Sequence, residues 1–336
     1  MSSHLHRRTF LKHGALAVGA VAAAELGVGC GGSSSSEEPD PGEPSPVFFT
    51  SDLSVAGLLR IYAQIGASLT GRVAIKLHSG EPLGPNLLPI SLIKGLQATI
   101  PDSTIVECNV LYPSPRQGTS GHLEVLRVNG FDFCPVDIAD AEGDAVLPIP
   151  GMQALIASGR GLTPGRHLTE VAVGSHLLDY DSLLVYTHFK GHQMGGFGGS
   201  LKNIGIGCAS GQVGKLQVHG PDWELGSLFL ERMVESGKAI TSHFAPRIAF
   251  INVLKNISVD CDCDAAGRQP TCPDIGILGS TDILAIDQAS VDLVYALPPD
   301  QRRDMVERIE SRGGLRQLEH MRTLQMGSRR YELVTV

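Results

Sequence analysis

The densest group of chemically capable side chains lies between positions 187 and 203, around a run of glycines. His188 and His192 precede the run and Lys202 follows it. Histidine can transfer protons near neutral pH or bind metal, and lysine can hold an anion or form a covalent adduct. The pattern predicts His192, Lys202 and His188 as catalytic residues.

The glycines between these residues predict the floor of a pocket. They are Gly195, Gly196, Gly198 and Gly199. Glycine lets the backbone approach a ligand closely and present its N–H groups. Together with Lys202, the turn is expected to bind a small anionic ligand or cofactor. His219 is the expected contributor from a second segment.

Cysteines at alternate positions form a second group. Cys261 and Cys263 flank Asp262, and Cys272 follows nine residues later. In an extended segment both thiols point to one face, where Cys208 is a candidate for the fourth sulfur. Such a set suits a soft metal ion or an iron–sulfur cluster. Structural disulfides are the alternative, and the two remain open at this point.

The N-terminal residues predict export rather than fold. Arg7 and Arg8, followed by Phe-Leu-Lys, are typical of a twin-arginine signal. The apolar stretch over 14–24 is shorter than the roughly 20 residues that span a bilayer. We therefore expect a signal peptide over 1–30, the twin-arginine translocase as a partner, and a location in the periplasm or cell envelope.

A tether is expected after the signal. Residues 31–46 are rich in Ser, Pro and Glu and cannot bury a core. Cys30 closes a loose lipoprotein box, so lipidation at Cys30 and ordinary cleavage stay open. An acyl group there is the only membrane attachment that the sequence suggests. The folded domain is expected over 47–336.

The elements that must position these groups alternate between strands and helices. Strands are predicted over 73–77, 104–111, 131–138, 182–188 and 247–254. Helices are predicted over 88–100, 122–129, 225–237, 283–296 and 315–324, with a last strand over 331–336. This order predicts an α/β fold with a mainly parallel sheet flanked by helices, as one compact domain or two intimate lobes. The ligand site then belongs at the carboxyl ends of the strands.

Composition narrows the classes of function. The chain has 336 residues, 42% of them hydrophobic, which is enough for a sizeable core. Its net charge is −8 and only 5% of residues are aromatic. Neither a basic stripe nor a stacking platform is expected, so nucleic acid is excluded as a partner.

In combination, the motifs resemble the domain-of-unknown-function family 362, often labelled iron–sulfur centre proteins. The resemblance covers essentially residues 47–336 and rests on the segments at 48–52, 76–82, 188–192, 195–203, 259–264, 274–278 and 327–333. Many members carry a ferredoxin insertion after the segment equivalent to Lys202-Asn203. This chain lacks it, so the resemblance leaves the region from Cys261 to Cys272 as the place for a cluster.

The glycine turn alone has a second, remote resemblance, to nickel-pincer lactate racemases. His192 and Lys202 stand ten residues apart around Gly-Phe-Gly-Gly. The resemblance implies His192 as an acid/base group, Lys202 as the carrier of a nickel-pincer nucleotide, and His219 as a nickel ligand.

Three functions follow from these patterns. The first is an exported protein with a metal or iron–sulfur centre and a redox role. The second is an enzyme acting on a small hydroxy or oxo acid through His192 and Lys202. The third is a disulfide-bonded binding protein of the cell envelope.

Overall fold

The structure, a computed structural model, describes residues 43–159 and 162–336. The predicted signal peptide, Cys30 and the tether up to residue 42 lie outside the described residues. The first strand begins at Ser45, two residues before the expected domain boundary. Its Ser45 hydroxyl donates to Asp282 at 2.7 Å, which ties this end of the chain into the fold.

Strands and helices alternate along the described chain. The strands are β1 Ser45–Thr50, β2 Val73–Lys76, β3 Ser103–Glu107, β4 Val136–Ile138, β5 Asp144–Pro148, β6 Glu170–Gly174, β7 Ser182–His188, β8 Lys190–His192, β9 Gly196–Gly198, β10 Ile248–Leu254, β11 Gly276–Ser280 and β12 Tyr331–Thr335. The helices are α1 Val55–Ile65, α2 Ile90–Gln97, α3 Thr119–Val128, α4 Met152–Ala157, α5 Ser200–Gly205, α6 Gly214–His219, α7 Ser227–Phe244, α8 Ile283–Ala296, α9 Pro299–Ser311 and α10 Arg316–Thr323.

Eight of the strands form one sheet in the order β12-β1-β11-β10-β7-β2-β3-β4. The five strands from β10 to β4 are mutually parallel, and β11 pairs antiparallel with both of its neighbours. The hairpins β5–β6 and β8–β9 stand apart from this sheet. The carboxyl ends of β10, β7, β2 and β3 therefore lie at one edge, where parallel α/β sheets bind their ligands.

Helices cover both faces of the sheet, which accounts for the fully buried central strands β2, β7 and β10. Consecutive residues of β7 point to opposite faces, so Leu183 packs into one core cluster and Leu184 into the other. The cluster around Leu184 includes Leu58 of α1 and Leu96 of α2. The cluster around Leu183 includes residues of α5, α7, α8, α9 and α10. No helix among the described residues is long and apolar enough to cross a membrane.

The predicted α/β class with a mainly parallel sheet is confirmed, as one compact domain. Strand β7 and helix α8 have the predicted bounds. The strand expected over 131–138 is confined to β4, because Phe131 and Phe133 pack as a loop beside α2 instead. Helix α9 was not predicted; it begins at Pro299, a residue suited to the first helical turn.

Candidate functional site

A cavity of about 570 Å³ opens at the carboxyl edge of the parallel strands. Lys76, Glu107 and His188, the last residues of β2, β3 and β7, all line it. His192 and Lys202 line it too, so the structure brings these two predicted residues into one cavity. Its volume falls in the range typical of small-molecule sites.

The glycine turn is built by the hairpin β8–β9 and the start of α5. Gly198 and Gly199 line the cavity, whereas Gly195 and Gly196 lie against the connection between α9 and α10. Gly196 has a φ of +77°, and a Cβ there would lie 2.8 Å from Cα of Gly314. A side chain is excluded at this position by both conformation and space.

Asp287, buried in α8, holds the N-terminus of α5. Its carboxylate accepts the N–H groups of Ser200 at 2.8 Å and Leu201 at 2.9 Å, and the side-chain amide of Asn252 at 2.9 Å. Burial raises the pKa of Asp287 to about 6, although these hydrogen bonds lower it. Asp287 therefore fixes the start of the helix that carries Lys202.

The far side of the hairpin is held by α10. The Gln317 side-chain amide donates to the carbonyl oxygens of Gly195 at 2.7 Å and Phe197 at 3.2 Å. Arg308 of α9 in turn donates to the carbonyl oxygen of Val259 at 2.6 Å. The C-terminal helices thus fix both the glycine turn and the segment that leads to Cys261.

The cavity contains a compact group of three side chains that could bind a metal ion, namely His192, Cys261 and Cys263. One ligand atom from each lies within 4.8 Å of the others. The backbone N–H of Cys263 donates to Sγ of Cys261 at 3.3 Å. Two thiols and an imidazole at this spacing have the chemistry of a soft metal site.

The two thiols are electrostatically unequal. A hydrogen bond from Cys263 holds the pKa of Cys261 well below its usual value, with further help from the charge of Lys202. The same hydrogen bond raises the pKa of Cys263 well above its usual value. Cys261 is therefore the more acidic thiol of the pair, and the thiolate is the form that binds metal.

His192 is held as a neutral imidazole with a defined tautomer. The backbone N–H of Gly195 donates to its Nδ1 at 2.9 Å, so a neutral ring carries its proton on Nε2. Burial, followed by the charge of Lys202, lowers the pKa of His192 to about 3. The ring is suited to donate a proton from Nε2, or to bind metal through Nδ1 if Gly195 releases it.

His188 lies in the cavity wall but is already engaged by protein groups. Its Nδ1 contacts Asp262 at 2.9 Å and its Nε2 contacts the carbonyl oxygen of Lys255 at 2.7 Å. Asp262 also pairs with Lys190 at 3.0 Å. Because both ring nitrogens have partners, His188 positions the Cys261 segment rather than meeting a ligand.

Cys208 and Cys272 are not part of the group. Both are buried in the larger hydrophobic core cluster, and neither lines the cavity. Burial raises the pKa of Cys208 to about 11 and that of Cys272 to about 12. The predicted four-sulfur set is therefore not assembled, because only two of its thiols meet.

All six cysteines in the described part of the chain are free thiols. The structural disulfides expected as the alternative are not formed among them. Cys108 is buried and Cys134 is half-buried.

Buried charges at the strand ends complete the cavity and were not predicted. Lys76 pairs with Glu107 at 3.3 Å, and Arg116 pairs with Glu81 at 2.7 Å. Burial raises the pKa of Glu107, but the charge of Lys76 and the hydrogen bonds from His122 and His78 together outweigh it, and the net shift is well downward. The sequence did carry a signal for two of these residues, because Lys76 and Glu107 are charged side chains at the end of an apolar strand.

His219, the predicted second-segment residue, also lines the cavity. Its ring lies between Trp223 and Phe229, with centroid distances of 4.1 and 4.9 Å and interplanar angles of 5° and 19°. Its Nδ1 is buried without a hydrogen-bond partner among the described residues. Burial, then the charges of Lys202 and Lys215, lower its pKa to about 4.

A second group with metal-ligand chemistry lies outside this cavity. His167 and His320 both contact Oε1 of Glu235, at 2.6 and 3.2 Å. The other carboxylate oxygen of Glu235 accepts the N–H of Leu168 at 2.8 Å. These direct contacts satisfy the buried carboxylate, so the group serves as a polar link between α7, α10 and the loop before β6.

The fold and the cavity define an α/β protein with a basic thiol–imidazole site at the carboxyl edge of its sheet. The chain belongs to the family described as domain of unknown function 362 (DUF362), whose model matches residues 73–292. The helices α9 and α10, with Arg308 and Gln317, lie beyond the matched residues.

Two solved structures are similar to this chain. One is the lactate racemase apoprotein from Thermoanaerobacterium thermosaccharolyticum, with 12% identity and a TM-score of 0.42, covering 74% of this chain and 56% of that one. The other is a protein from Thermotoga maritima, with 13% identity and a TM-score of 0.42, covering 79% of this chain and 59% of that one. This chain thus spans less than two thirds of the length of either. No curated protein matches the sequence.

Proposed function

We propose that this protein binds a soft transition-metal ion through Cys261, Cys263 and His192, and that a small anionic molecule reaches the ion through the cavity. The observation that carries the proposal is the convergence of these three ligand atoms within 4.8 Å of one another. Three protein ligands leave a coordination position open, as in metal sites that bind or transform a ligand.

The donor set fits such an ion. Thiolate and imidazole together suit zinc, copper, iron and nickel. The lone pair of His192 Nδ1 is occupied by the Gly195 N–H, so coordination through Nδ1 would replace that hydrogen bond. The glycine turn would therefore adjust when metal binds.

A single ion fits this site better than a four-cysteine cluster. Cys208 and Cys272 are held in the core, and among the described cysteines only Cys261 and Cys263 come together with His192 at ligand distance. A redox role, the first function predicted from the sequence, is kept as part of the proposal. A metal that cycles between oxidation states would report it by electron paramagnetic resonance.

Metal analysis of the full chain after anaerobic purification tests the proposal. We expect about one ion per chain in the wild type, as for a mononuclear site. Cys261→Ser and Cys263→Ser should each lose most of the metal. Cys272→Ser is the matched control, because it is a buried cysteine away from the cavity, and it should retain the metal. Equal metal contents in all four proteins would overturn the proposal.

A second candidate is an enzyme acting on a small hydroxy or oxo acid. The side chain of Lys202 has neither an ion pair nor a hydrogen bond with any described residue, and it shares the cavity with His192 and His219. A free lysine there has room to carry a covalent group, and a nickel-pincer nucleotide would supply the metal centre when bound. The intact mass of the purified chain tests this, because an adduct lost in Lys202→Met would favour the second candidate.

We also propose that the protein is exported to the periplasm or cell envelope. The paired arginines at positions 7 and 8 support export, and Cys30 supports a lipid anchor. These residues lie outside the described part of the chain, so the support comes from the sequence.

A further inference from the structure

The lysine and arginine side chains of the cavity are mostly paired, with two exceptions. Lys76, Lys190 and Arg116 form ion pairs with Glu107, Asp262 and Glu81. Within the described ranges, Lys202 and Lys215 have no ion pair, although both line the cavity.

Lys215 is the stronger evidence for an anionic ligand, because its side chain is charged and the residue is only 5% exposed. Its Nζ donates to the carbonyl oxygen of Ala209 at 2.6 Å, which leaves the charge itself without a counterion. The charges of Asp140 and Glu107 influence Lys215, but neither carboxylate lies within ion-pair distance of it. A buried ammonium without a partner costs several kcal/mol, so an anion that enters the cavity would offset a real penalty.

His219 links the two lysines. Lys215 and His219 stand four residues apart on α6, so they share a helix face, and Lys202 and Lys215 both act on the imidazole. The ring is only 8% exposed and cannot turn freely between Trp223 and Phe229. Its unpartnered Nδ1 is an unused polar atom in the wall of a charged cavity.

The segment after α6 is shaped to hold this ring. Trp223 has a φ of +53°, a conformation that bulky side chains rarely adopt. It nevertheless stacks on His219 almost in parallel and lines the cavity, while remaining 44% exposed. A strained aromatic residue at the wall of a cavity is typical of a ligand-binding segment.

We propose that Lys202, Lys215 and His219 form a subsite for a small dianion, such as a dicarboxylate or a phosphate. Two unpaired ammonium groups balance two negative charges, and Nδ1 of His219 adds a directional hydrogen bond. The charge of Lys202 lowers the pKa values of His192, Cys261 and Cys263 as well as that of His219. Lys202 is therefore the member of the subsite that adjoins the thiol–imidazole group. The subsite itself does not depend on the proposed function. Only the placement of the ligand's other end next to a metal rests on that function.

Calorimetric titration of the full chain with succinate and with inorganic phosphate tests the subsite. The neutral diamide of succinic acid is the ligand control. We expect at least one of the two anions to bind and the diamide not to bind. Lys202→Met and Lys215→Met should each weaken binding by about 10-fold or more. Lys238→Met, a partly buried lysine of α7 away from the cavity, should bind like the wild type.

Thermal unfolding without ligand separates a binding role from a structural one. Lys215→Met keeps most of the side-chain volume and removes an unpaired buried charge, so its melting temperature should equal or exceed that of the wild type. A variant that unfolds or melts well below the wild type would overturn the inference. Equal binding of the diamide, binding of neither anion, or unchanged anion affinity in both lysine variants would also overturn it.

The same titration in Cys261→Ser distinguishes this inference from the proposed function. Anion binding that persists in a protein without metal, and is lost in Lys215→Met, supports the subsite whatever the metal analysis shows. A wild type that holds metal but binds neither anion would leave the metal proposal standing and refute the subsite.

Discussion

Gln317 of α10 donates its side-chain amide to the carbonyl oxygen of Gly195 across 2.7 Å, although 122 residues separate them. Gly195 in turn donates its N–H to His192. A residue beyond the part matched by the family model therefore sets the orientation of a proposed metal ligand.

Gln317→Ala should strengthen metal binding without changing any ligand, because Gln317 holds the turn whose Gly195 N–H competes with metal for Nδ1 of His192. A net hydrogen bond is worth about 1 kcal/mol, so relief of this competition should raise metal affinity by up to about 10-fold. Competition with a chelator would measure it, with Gln301→Ala on the exposed face of α9 as the control. An affinity equal to that of the wild type would show that the turn holds His192 unaided.

The titration of His219 should depend on both lysines of the proposed subsite. Its pKa of about 4 reflects burial first and then the charges of Lys202 and Lys215. The double variant Lys202→Met, Lys215→Met should raise this pKa, as followed by NMR of the imidazole. A pKa unchanged by the double substitution would mean that neither lysine lies near the ring.

The same shift has a consequence for stability. Because the folded-state pKa of His219 is depressed, the unfolded chain binds the proton more tightly. The contribution of His219 to stability is therefore complete above about pH 6.5 and decreases as the pH falls toward 4.

Asp287 should show the opposite dependence on pH. Its folded-state pKa of about 6 lies above the ordinary value of 3.8, so the folded chain takes up the proton first as the pH falls. Stabilisation from Asp287 is then present at low pH and lost as the pH rises through about 6. Asp287→Ala should cost about 1 kcal/mol more at pH 5 than at pH 7.5. Chemical denaturation at the two pH values would measure the difference, and a larger cost at pH 7.5 would contradict a raised pKa.

The sequence predicted the elements of this fold better than it predicted their contacts. Strand β7 is buried throughout because both of its faces are covered, and its apolar run over 183–186 marked its position in the sequence. Lys76 and Glu107 end two such strands, yet their pairing depends on β2 lying next to β3 in the sheet. Strand order is set by packing across the whole sheet, which no local pattern reports.

The chemistry of a residue type also did not fix its role. His188 was predicted to be catalytic, but Asp262 and the carbonyl oxygen of Lys255, which lie 74 and 67 residues later in the chain, contact both of its nitrogens. Cys272 lies near Cys263 in sequence, yet the loop between them turns it into the core. By contrast, His192 and Lys202 share a cavity because the short hairpin and helix between them leave little freedom.

Export should depend on the paired arginines. Arg7→Lys combined with Arg8→Lys keeps the charge but removes the guanidinium pair, and should hold the precursor in the cytoplasm. Lys12→Arg is the matched control and should be exported. Fractionation of cells that express each form would decide, and normal export of the double variant would remove the twin-arginine assignment.

X-ray absorption spectroscopy of the anaerobically purified protein tests the central claim most directly, because it counts the ligands of the bound metal. We predict two sulfur atoms at about 2.3 Å and an imidazole nitrogen at about 2.0 Å, a ligand set that Cys272→Ser should retain. Four sulfur ligands, or a metal bound only through oxygen and nitrogen, would contradict it.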